Sequence, residues 1–261
     1  MGSIQIKDLS FSYEEGSKLI LKDISVEIET GEFVCILGQS GCGKSTLLRL
    51  LAGLEKPTTG ELLIDNEKIK GASLKRGVVF QDYGLFPWMT AGENIVLALK
   101  QCFPSKDKAQ LKQIALTMLK AVGLSESVYK KLPKELSGGM KQRCAIAQAF
   151  SMNPPTLLMD EPFGALDAVT RAKLQDLVLE LWKKDETEKT VFFVTHDVDE
   201  ALLLSSRILV LGQSPSNVIY DCKIPEEKRP TRESLFENVE ILQLRNTLIH
   251  QINKDVATHI S

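Results

Sequence analysis

The stretch Gly38-Gln39-Ser40-Gly41-Cys42-Gly43-Lys44-Ser45 fits the pattern G-x-x-x-x-G-K-[ST], which is typical of a phosphate-binding loop. The apolar run 33–37 before it predicts a strand that is buried on both faces, and residues 46–52 after it predict a helix that ends at Gly53. A glycine loop between a strand and a helix presents backbone N–H groups and the positive end of the helix dipole to an anion. The alternative is an ordinary glycine and serine turn, but both flanking elements favour a site for a nucleoside triphosphate.

Two side chains of this loop carry the expected chemistry. Lys44 is expected to reach the β- and γ-phosphates, and the Ser45 hydroxyl is expected to ligate Mg²⁺. Cys42 adds a thiol at which reagents would block nucleotide binding, although we interpret it as a packing residue and not as a redox group.

The composition is that of a globular protein and excludes several classes of function. Of 261 residues, 43% are hydrophobic and 25% are charged, which allows one large domain or two small ones. The net charge of −2 gives no overall basic field that would attract nucleic acid or an anionic membrane surface. The five cysteines form no C-x-x-C pair, which argues against a zinc site and a disulfide framework. Because there is neither an apolar run of membrane-spanning length nor a leader pattern in residues 1–10, we expect a soluble, unexported protein whose membrane association comes through a partner.

The first half of the chain begins with predicted strands and continues with predicted helices. Alternating apolar residues over 4–11 and 24–28 predict half-exposed strands of an N-terminal antiparallel sheet. Apolar residues recur at three- and four-residue steps from Leu111 to Val122, which predicts a helix within a helical insertion over about 85–153.

An alternation of strands and helices follows this insertion. Residues 156–160 and 190–195 predict strands on either side of a helix over 174–182, and this order implies a parallel sheet with crossovers. Residues 217–224 are consistent with one or two final strands, and 233–252 with a last helix.

Two further segments contain groups that suit nucleotide chemistry. Asp160-Glu161 ends an apolar strand, and in a phosphate-loop protein the aspartate holds Mg²⁺ while the next carboxylate can polarise an attacking water. By itself such a pair is as often a solvated strand edge. In Leu136-Ser137-Gly138-Gly139-Met140-Lys141-Gln142-Arg143, Ser137 suits an N-cap and the glycines expose N–H groups to an anion. This segment is either a plain capped helix or a second anion site that serves a nucleotide held by a different subunit.

Taken together, these segments resemble those of the ABC ATPases, over about residues 3–212. Five segments occur in the order seen in that family: Gly38–Ser45, the LSGGMKQR stretch, Leu157–Glu161, Ala165–Asp167 and Thr195–Asp197. Residues 79–81, 85–90 and 160–167 look most like the importer subgroup that serves nitrate, sulfonate and taurine.

The resemblance implies an α/β fold of the P-loop ABC type. It has a mixed sheet core, an N-terminal antiparallel β-subdomain and an inserted α-helical subdomain. We expect an ATPase domain over 1–225 and a C-terminal helical extension over 226–261.

The resemblance also implies roles for individual residues. The nucleotide-binding residues would be Tyr13, Gly38, Gln39, Ser40, Gly41, Cys42, Gly43, Lys44, Ser45 and Thr46. Those around Mg²⁺ would be Ser45, Gln81 and Asp160. Gln81 would sense the metal and the attacking water, Glu161 would be the catalytic base and His196 the switch that contacts the γ-phosphate. Ser137, Gly138 and Gly139 would complete the site of a second subunit, with Asp167 between the two sites.

Three of these interpretations compete with plainer ones. Tyr13 matches the aromatic residue that stacks on adenine, but it could instead pack on Phe11. His196 could be a polar cap after a buried strand. Phe86 and Trp88 are candidate exposed anchors for a partner, although packing in the core is the alternative.

The implied function is ATP hydrolysis coupled to import by a membrane transporter. The implied cofactors are ATP and Mg²⁺, and the implied partners are a second copy of the chain, transmembrane permease subunits and, indirectly, a solute-binding protein. The chain would lie at the cytoplasmic face of the membrane and bind no nucleic acid. One alternative is a soluble ABC ATPase that acts on nucleic acid or ribosomes; another is a P-loop kinase or GTPase that is active as a monomer.

Overall fold

The computed structural model describes residues 3–14, 16–164, 166–183 and 188–260, in which strands and helices alternate along the chain. The strands are β1 (Ile4–Phe11), β2 (Leu21–Ile28), β3 (Phe33–Leu37), β4 (Thr59–Ile64), β5 (Glu67–Lys68), β6 (Arg76–Val79), β7 (Thr156–Asp160), β8 (Thr190–Thr195), β9 (Arg207–Leu211) and β10 (Val218–Lys223). The α-helices are α1 (Lys44–Ala52), α2 (Ala91–Cys102), α3 (Lys108–Ala121), α4 (Gly138–Ser151), α5 (Ala168–Lys183), α6 (Val198–Leu204) and α7 (Val239–Ile260). The chain divides into a first unit, Met1–Ser73 with Glu188–Ser261, and a second unit, Leu74–Thr187.

The first unit contains an antiparallel sheet of strand order β2-β1-β4-β5. Ile4 of β1 lies opposite Ile28 of β2 on one side and Ile64 of β4 on the other. Ile4 and Ile28 are buried, so this face of the sheet covers the core. The predicted N-terminal antiparallel sheet is confirmed.

The first unit also contains a mixed set of strands in the order β10-β9-β3-β8. β3 is parallel to both β8 and β9, while β10 is antiparallel to β9. Every residue of β3 and β8 is buried, as expected of parallel strands covered on both faces. Because β3 and β8 are adjacent and parallel, the loops that follow Leu37 and Thr195 begin at the same edge of the sheet, where open α/β sheets place their ligands.

The second unit pairs β6 and β7 in parallel and contains helices α2 to α5, of which α2, α3 and α4 pack on one another and α4 packs on β6. Helix α3 buries Leu111, Ala115 and Leu119, which is the apolar face that the sequence predicts. Helices α2 and α3 each begin with a capping box, at Thr90 and Asp107. The helices between β6 and β7 confirm the predicted helical insertion as a feature of the fold.

The end of the chain corrects one predicted boundary. The last helix, α7, begins at Val239 and not at Glu233, because the Asn238 side chain accepts hydrogen bonds from the backbone N–H groups of Glu240 and Ile241. Residues Ser234–Phe236 form a separate 3-10 turn. Within the described ranges, no helix is both long enough and apolar enough to span a membrane.

Candidate functional site

The loop 38–45 joins β3 to α1 in the conformation that its glycines permit. Gly41 and Gly43 have φ values of 82° and 98°, in the left-handed region that favours glycine. Gly43 is the N-cap of α1 and supplies no side chain to cap it, so the helix begins with backbone N–H groups facing the loop. A Cβ at Gly41 would meet nothing within 4 Å, whereas one at Gly43 would lie 2.8 Å from Leu21 Cδ2. The loop therefore packs against Leu21 at Gly43, whereas at Gly41 it faces open space.

Lys44 places a positive charge inside this loop. Its ammonium donates to the carbonyl oxygens of Gly38 and Gln39, at 2.9 and 2.8 Å, and the residue is only 5% exposed. A cation held against a glycine loop at a helix N-terminus provides the chemistry that phosphate oxygens require. These residues fit the triphosphate of a nucleotide.

Cys42 forms part of the support beneath the loop. Its side chain is 2% exposed, and its Sγ lies 2.8 Å from the position that a Cβ on Gly38 would take. The Ser216 hydroxyl donates to the Cys42 carbonyl and, at 2.9 Å, to the Gly212 carbonyl. Burial raises the pKa of the Cys42 thiol, with a smaller opposing effect of Lys44. Burial of this side chain agrees with a packing role for Cys42, and block of nucleotide binding by thiol reagents stays a prediction.

The burial of Cys42 makes its reactivity testable. We expect a maleimide to label Cys42 at least about tenfold more slowly than Cys102 at neutral pH, because burial raises the pKa of both thiols but only Cys42 is inaccessible to the reagent. Cys102 is the internal control, since it is partly exposed. Peptide mass mapping over time measures both rates in one sample, and equal rates would contradict the packing role.

Tyr13 lies beside the start of α1. Its hydroxyl is 3.1 Å from Thr46 Oγ1, and its ring meets Phe11 edge-on with centroids 5.0 Å apart. Tyr13 nevertheless remains 58% exposed. The Tyr13 ring therefore contacts Phe11 and is still accessible to solvent. Packing on Phe11 does not prevent this ring from stacking on a base.

His196 follows β8 and is exposed, at the same edge of the sheet as the loop. The cap of the next helix is Asp197, which accepts from the N–H groups of Asp199 and Glu200. The Thr195 hydroxyl donates to Glu200 at 2.8 Å and accepts from the Asp197 N–H at 3.0 Å. The His196 backbone is thus fixed between a buried strand and a capped helix, and the capping role belongs to Asp197.

In the second unit, Gln81 and Asp160 lie near the carboxyl ends of adjacent parallel strands. Val79 at the end of β6 is paired with Met159 of β7, so Gln81 and Asp160 share one edge of this strand pair. Asp160 is 7% exposed, and Glu161 follows it with a φ of 44°. This left-handed turn ends the strand directly after Asp160 and sets the direction of Glu161.

Ser137 caps α4 as the sequence predicts. Its hydroxyl accepts from the Met140 N–H at 3.3 Å, and Ser137 and Gly138 are exposed. Asp167 accepts from the Thr170 N–H at the start of α5, and this hydrogen bond lowers the pKa of its carboxyl group. Ala165 of the same motif lies outside the described residues.

Asn94 is a further residue of interest that the sequence did not single out. It is completely buried, its Oδ1 accepts from the Phe86 N–H at 2.8 Å, and its Nδ2 donates to the Met89 and Thr90 carbonyls. These bonds fix the 86–90 turn, on which Phe86 is 41% and Trp88 73% exposed with ring centroids 5.4 Å apart. The core-packing alternative for these two rings is wrong. In the sequence, the role of Asn94 is indicated only by its being a polar residue on the apolar face of a predicted helix.

Comparison with known proteins points to one family. The family model described as ABC transporter matches residues 21–164. The nitrate import ATP-binding protein NrtD of Synechococcus elongatus is 42% identical over 90% of this chain and 85% of its own length. The nitrate transport protein NasD of Klebsiella oxytoca is 43% identical over 95% of each chain, and the aliphatic sulfonates import ATP-binding protein SsuB of Bacillus cereus is 43% identical over 90% of this chain and 92% of its own. A dimeric ATP-binding cassette solved in a post-hydrolysis state with ADP and Pi superimposes with a TM-score of 0.77 at 36% identity, covering 85% of this chain and 99% of the cassette.

Proposed function

Because this chain belongs to the ABC transporter family, we propose that it is the ATP-hydrolysing subunit of a membrane importer for a small solute. The observation that carries the proposal is the loop 38–45, in which the buried Lys44 ammonium lies against the open glycine turn at the N-terminus of α1. The relatives described above are named for nitrate and for aliphatic sulfonates, and we propose nitrate, a sulfonate such as taurine, or a similar small solute as the cargo.

We assign the nucleotide contacts in the first unit to loop 38–45, Thr46 and Tyr13. The backbone N–H groups and Lys44 hold phosphate oxygens, and the open face of the Tyr13 ring accepts the adenine. His196 contacts the γ-phosphate from the end of β8. ATP is the substrate of the proposed reaction.

In the first unit, we propose the Ser45 hydroxyl as a ligand of Mg²⁺. In the second unit, taken by itself, we propose Asp160 and Gln81 as metal contacts. A bound Mg²⁺ would neutralise charge on the phosphates. Proteins hold this ion through one or two carboxylates together with substrate phosphates, so a single buried aspartate fits it. Glu161 accepts a proton from the attacking water, and Gln81 orients that water.

A second copy of the chain is proposed to complete each site. At the N-terminus of α4, Ser137 and Gly138 are exposed and Gly139 is half-buried, which suits binding of phosphate oxygens from another subunit. Two copies related by a twofold axis would form two such sites, and Asp167 would lie between them. Closure around ATP and reopening after hydrolysis convert phosphate contacts into movement of the subunits.

The proposed location is the cytoplasmic face of the membrane, through permease subunits that also receive solute from a solute-binding protein. The exposed rings of Phe86 and Trp88, fixed by Asn94, are the proposed contact with the permease. The net charge of −2 favours no nucleic acid partner.

Replacement of Trp88 tests the permease contact. We expect Trp88→Ala to lower co-purification with detergent-solubilised permease at least about tenfold, because an exposed tryptophan at the centre of an interface commonly contributes 2 kcal/mol or more. Leu74→Ala, which removes another exposed apolar side chain of the same unit, is the matched control and should leave recovery unchanged. ATP turnover of the isolated variant should stay near the original. Undiminished recovery of Trp88→Ala would contradict the assigned surface, and exclusive recovery of the protein with nucleic acid would refute the importer function.

A further inference from the structure

The last helix, α7, is hydrogen-bonded to Asp199 and Gln213, two residues of the first unit that contact the segments with the proposed nucleotide chemistry. It lies outside residues 21–164, which match the family model. Ile241 and Leu248 are buried, and α7 packs on α6, β9 and β10. At 100° per residue, Arg245 and Asp255 lie within about 40° of Ile241 around the helix axis, so they share its inward-facing side.

The first contact runs from Arg245 to the helix that follows His196. Arg245 Nε donates to Asp199 Oδ1 at 2.7 Å, and its second nitrogen donates to Asp199 Oδ2 at 3.5 Å. Such a two-point contact fixes direction as well as distance. Asp199 is the second residue of α6, and its N–H is bonded to the cap Asp197, directly after His196.

The second contact runs from Asp255 to the phosphate-binding loop. Asp255 accepts from the Gln213 N–H at 2.6 Å, and the Gln213 side chain donates to Gln39 Oε1 at 3.0 Å. Ser216, three residues further along, donates to the Cys42 carbonyl. The segment 212–216 thus contacts the loop at two points, and Asp255 fixes one end of that segment.

We infer that α7 is a positioning element for ATP hydrolysis, in which Arg245 orients His196 through Asp199 and Asp255 orients the phosphate-binding loop through Gln213. This inference rests on the proposed function and assigns the two residues separate effects. Arg245 acts on a residue that contacts the γ-phosphate, so it governs the rate of hydrolysis. Asp255 acts on the loop that holds the phosphates, so it governs affinity for ATP.

The test separates kcat from KM in two variants. We expect Arg245→Ala to lower kcat roughly tenfold with little change in KM, and Asp255→Ala to raise KM for ATP roughly tenfold with little change in kcat, because small misplacements of reacting groups have effects of this size or more. Arg245→Lys and Asp255→Asn should restore part of each loss, since the first keeps the charge and the second keeps an acceptor for the Gln213 N–H.

Glu240→Gln is the matched control. Glu240 also lies on α7 and pairs with Lys228, at 3.0 Å, but it is exposed and contacts neither loop through any of the bonds described above. A general loss of helix packing would lower the melting temperature and affect kcat and KM alike. Equal kinetics of Arg245→Ala, Asp255→Ala and the unaltered chain would overturn the inference, and so would losses that follow the melting temperature alone.

Failure of the proposed function would give a different result from failure of this inference. If the unaltered chain hydrolysed no ATP, the ATPase assignment itself would fail. Binding of a fluorescent ATP analogue would then still test the second contact: weaker binding by Asp255→Ala, restored by Asp255→Asn, supports it, and unchanged binding overturns it.

Discussion

Glu161→Gln is expected to lower ATP turnover about a thousandfold while ATP binding is retained, because loss of a general base typically removes a factor of about 10² to 10⁴. Glutamine has nearly the same shape as glutamate but cannot take a proton from water. Glutamine and glutamate have the same Cβ and Cγ geometry, so the left-handed turn at residue 161 that ends β7 should be kept and Asp160 should stay undisturbed.

This variant should also change the state of assembly. Without hydrolysis, the closed dimer persists once ATP has bound, so gel filtration in ATP and Mg²⁺ should show a dimer for Glu161→Gln and mainly monomer without nucleotide. Glu126→Gln, an exposed glutamate of the same unit, is the control and should behave as the unaltered chain. Normal phosphate release by Glu161→Gln would refute its assignment as the base.

Ser137→Arg is expected to lower ATP hydrolysis about a hundredfold or more, a loss comparable to removal of hydrogen-bond donors that stabilise developing charge. Ser137 and Gly138 are exposed at the start of α4, so a long side chain at this position would take the place of the phosphate oxygens that this helix N-terminus is proposed to bind. Loop 38–45 is unchanged in the variant, and ATP affinity should therefore remain.

The same substitution also removes an N-cap, which costs about 1 kcal/mol of stability. Asp107→Ala removes the cap of α3 in the same unit and so controls for this effect. We expect Asp107→Ala to lose a similar amount of stability and to keep its turnover. A fully active Ser137→Arg would favour a monomeric enzyme of the kinase or GTPase type.

The local features of the fold were predictable because they depend on neighbours in the sequence. Loop 38–45 and the end of α1 at Gly53 are examples: Gly53 has a φ of 76°, the left-handed conformation with which glycine commonly ends a helix. The predicted start of the last helix was wrong because the Asn238 side chain, and not the apolar pattern, decides where α7 begins.

The supporting contacts of the site were not predictable because they join residues that are distant in the sequence. Gln213 and Gln39 are 174 residues apart, and Arg245 and Asp199 are 46 apart. Polar side chains of this kind give no periodic signal, and their partners become evident only in the folded chain. The assigned roles of Gln81, Glu161, His196 and Ser137–Gly139 stay predictions until they are measured.

Each chain is expected to supply one half of each of the two sites in the dimer. Mixing two inactive variants tests this arrangement most directly. Lys44→Ala removes the charge in loop 38–45, and Ser137→Arg blocks the N-terminus of α4. In a dimer of the two variants, one site combines the intact loop of one chain with the intact Ser137–Gly139 of the other. Random pairing should therefore restore ATP hydrolysis to about a quarter of the original, since half of the dimers have one intact site of two. A mixture as inactive as its separate components would contradict the account.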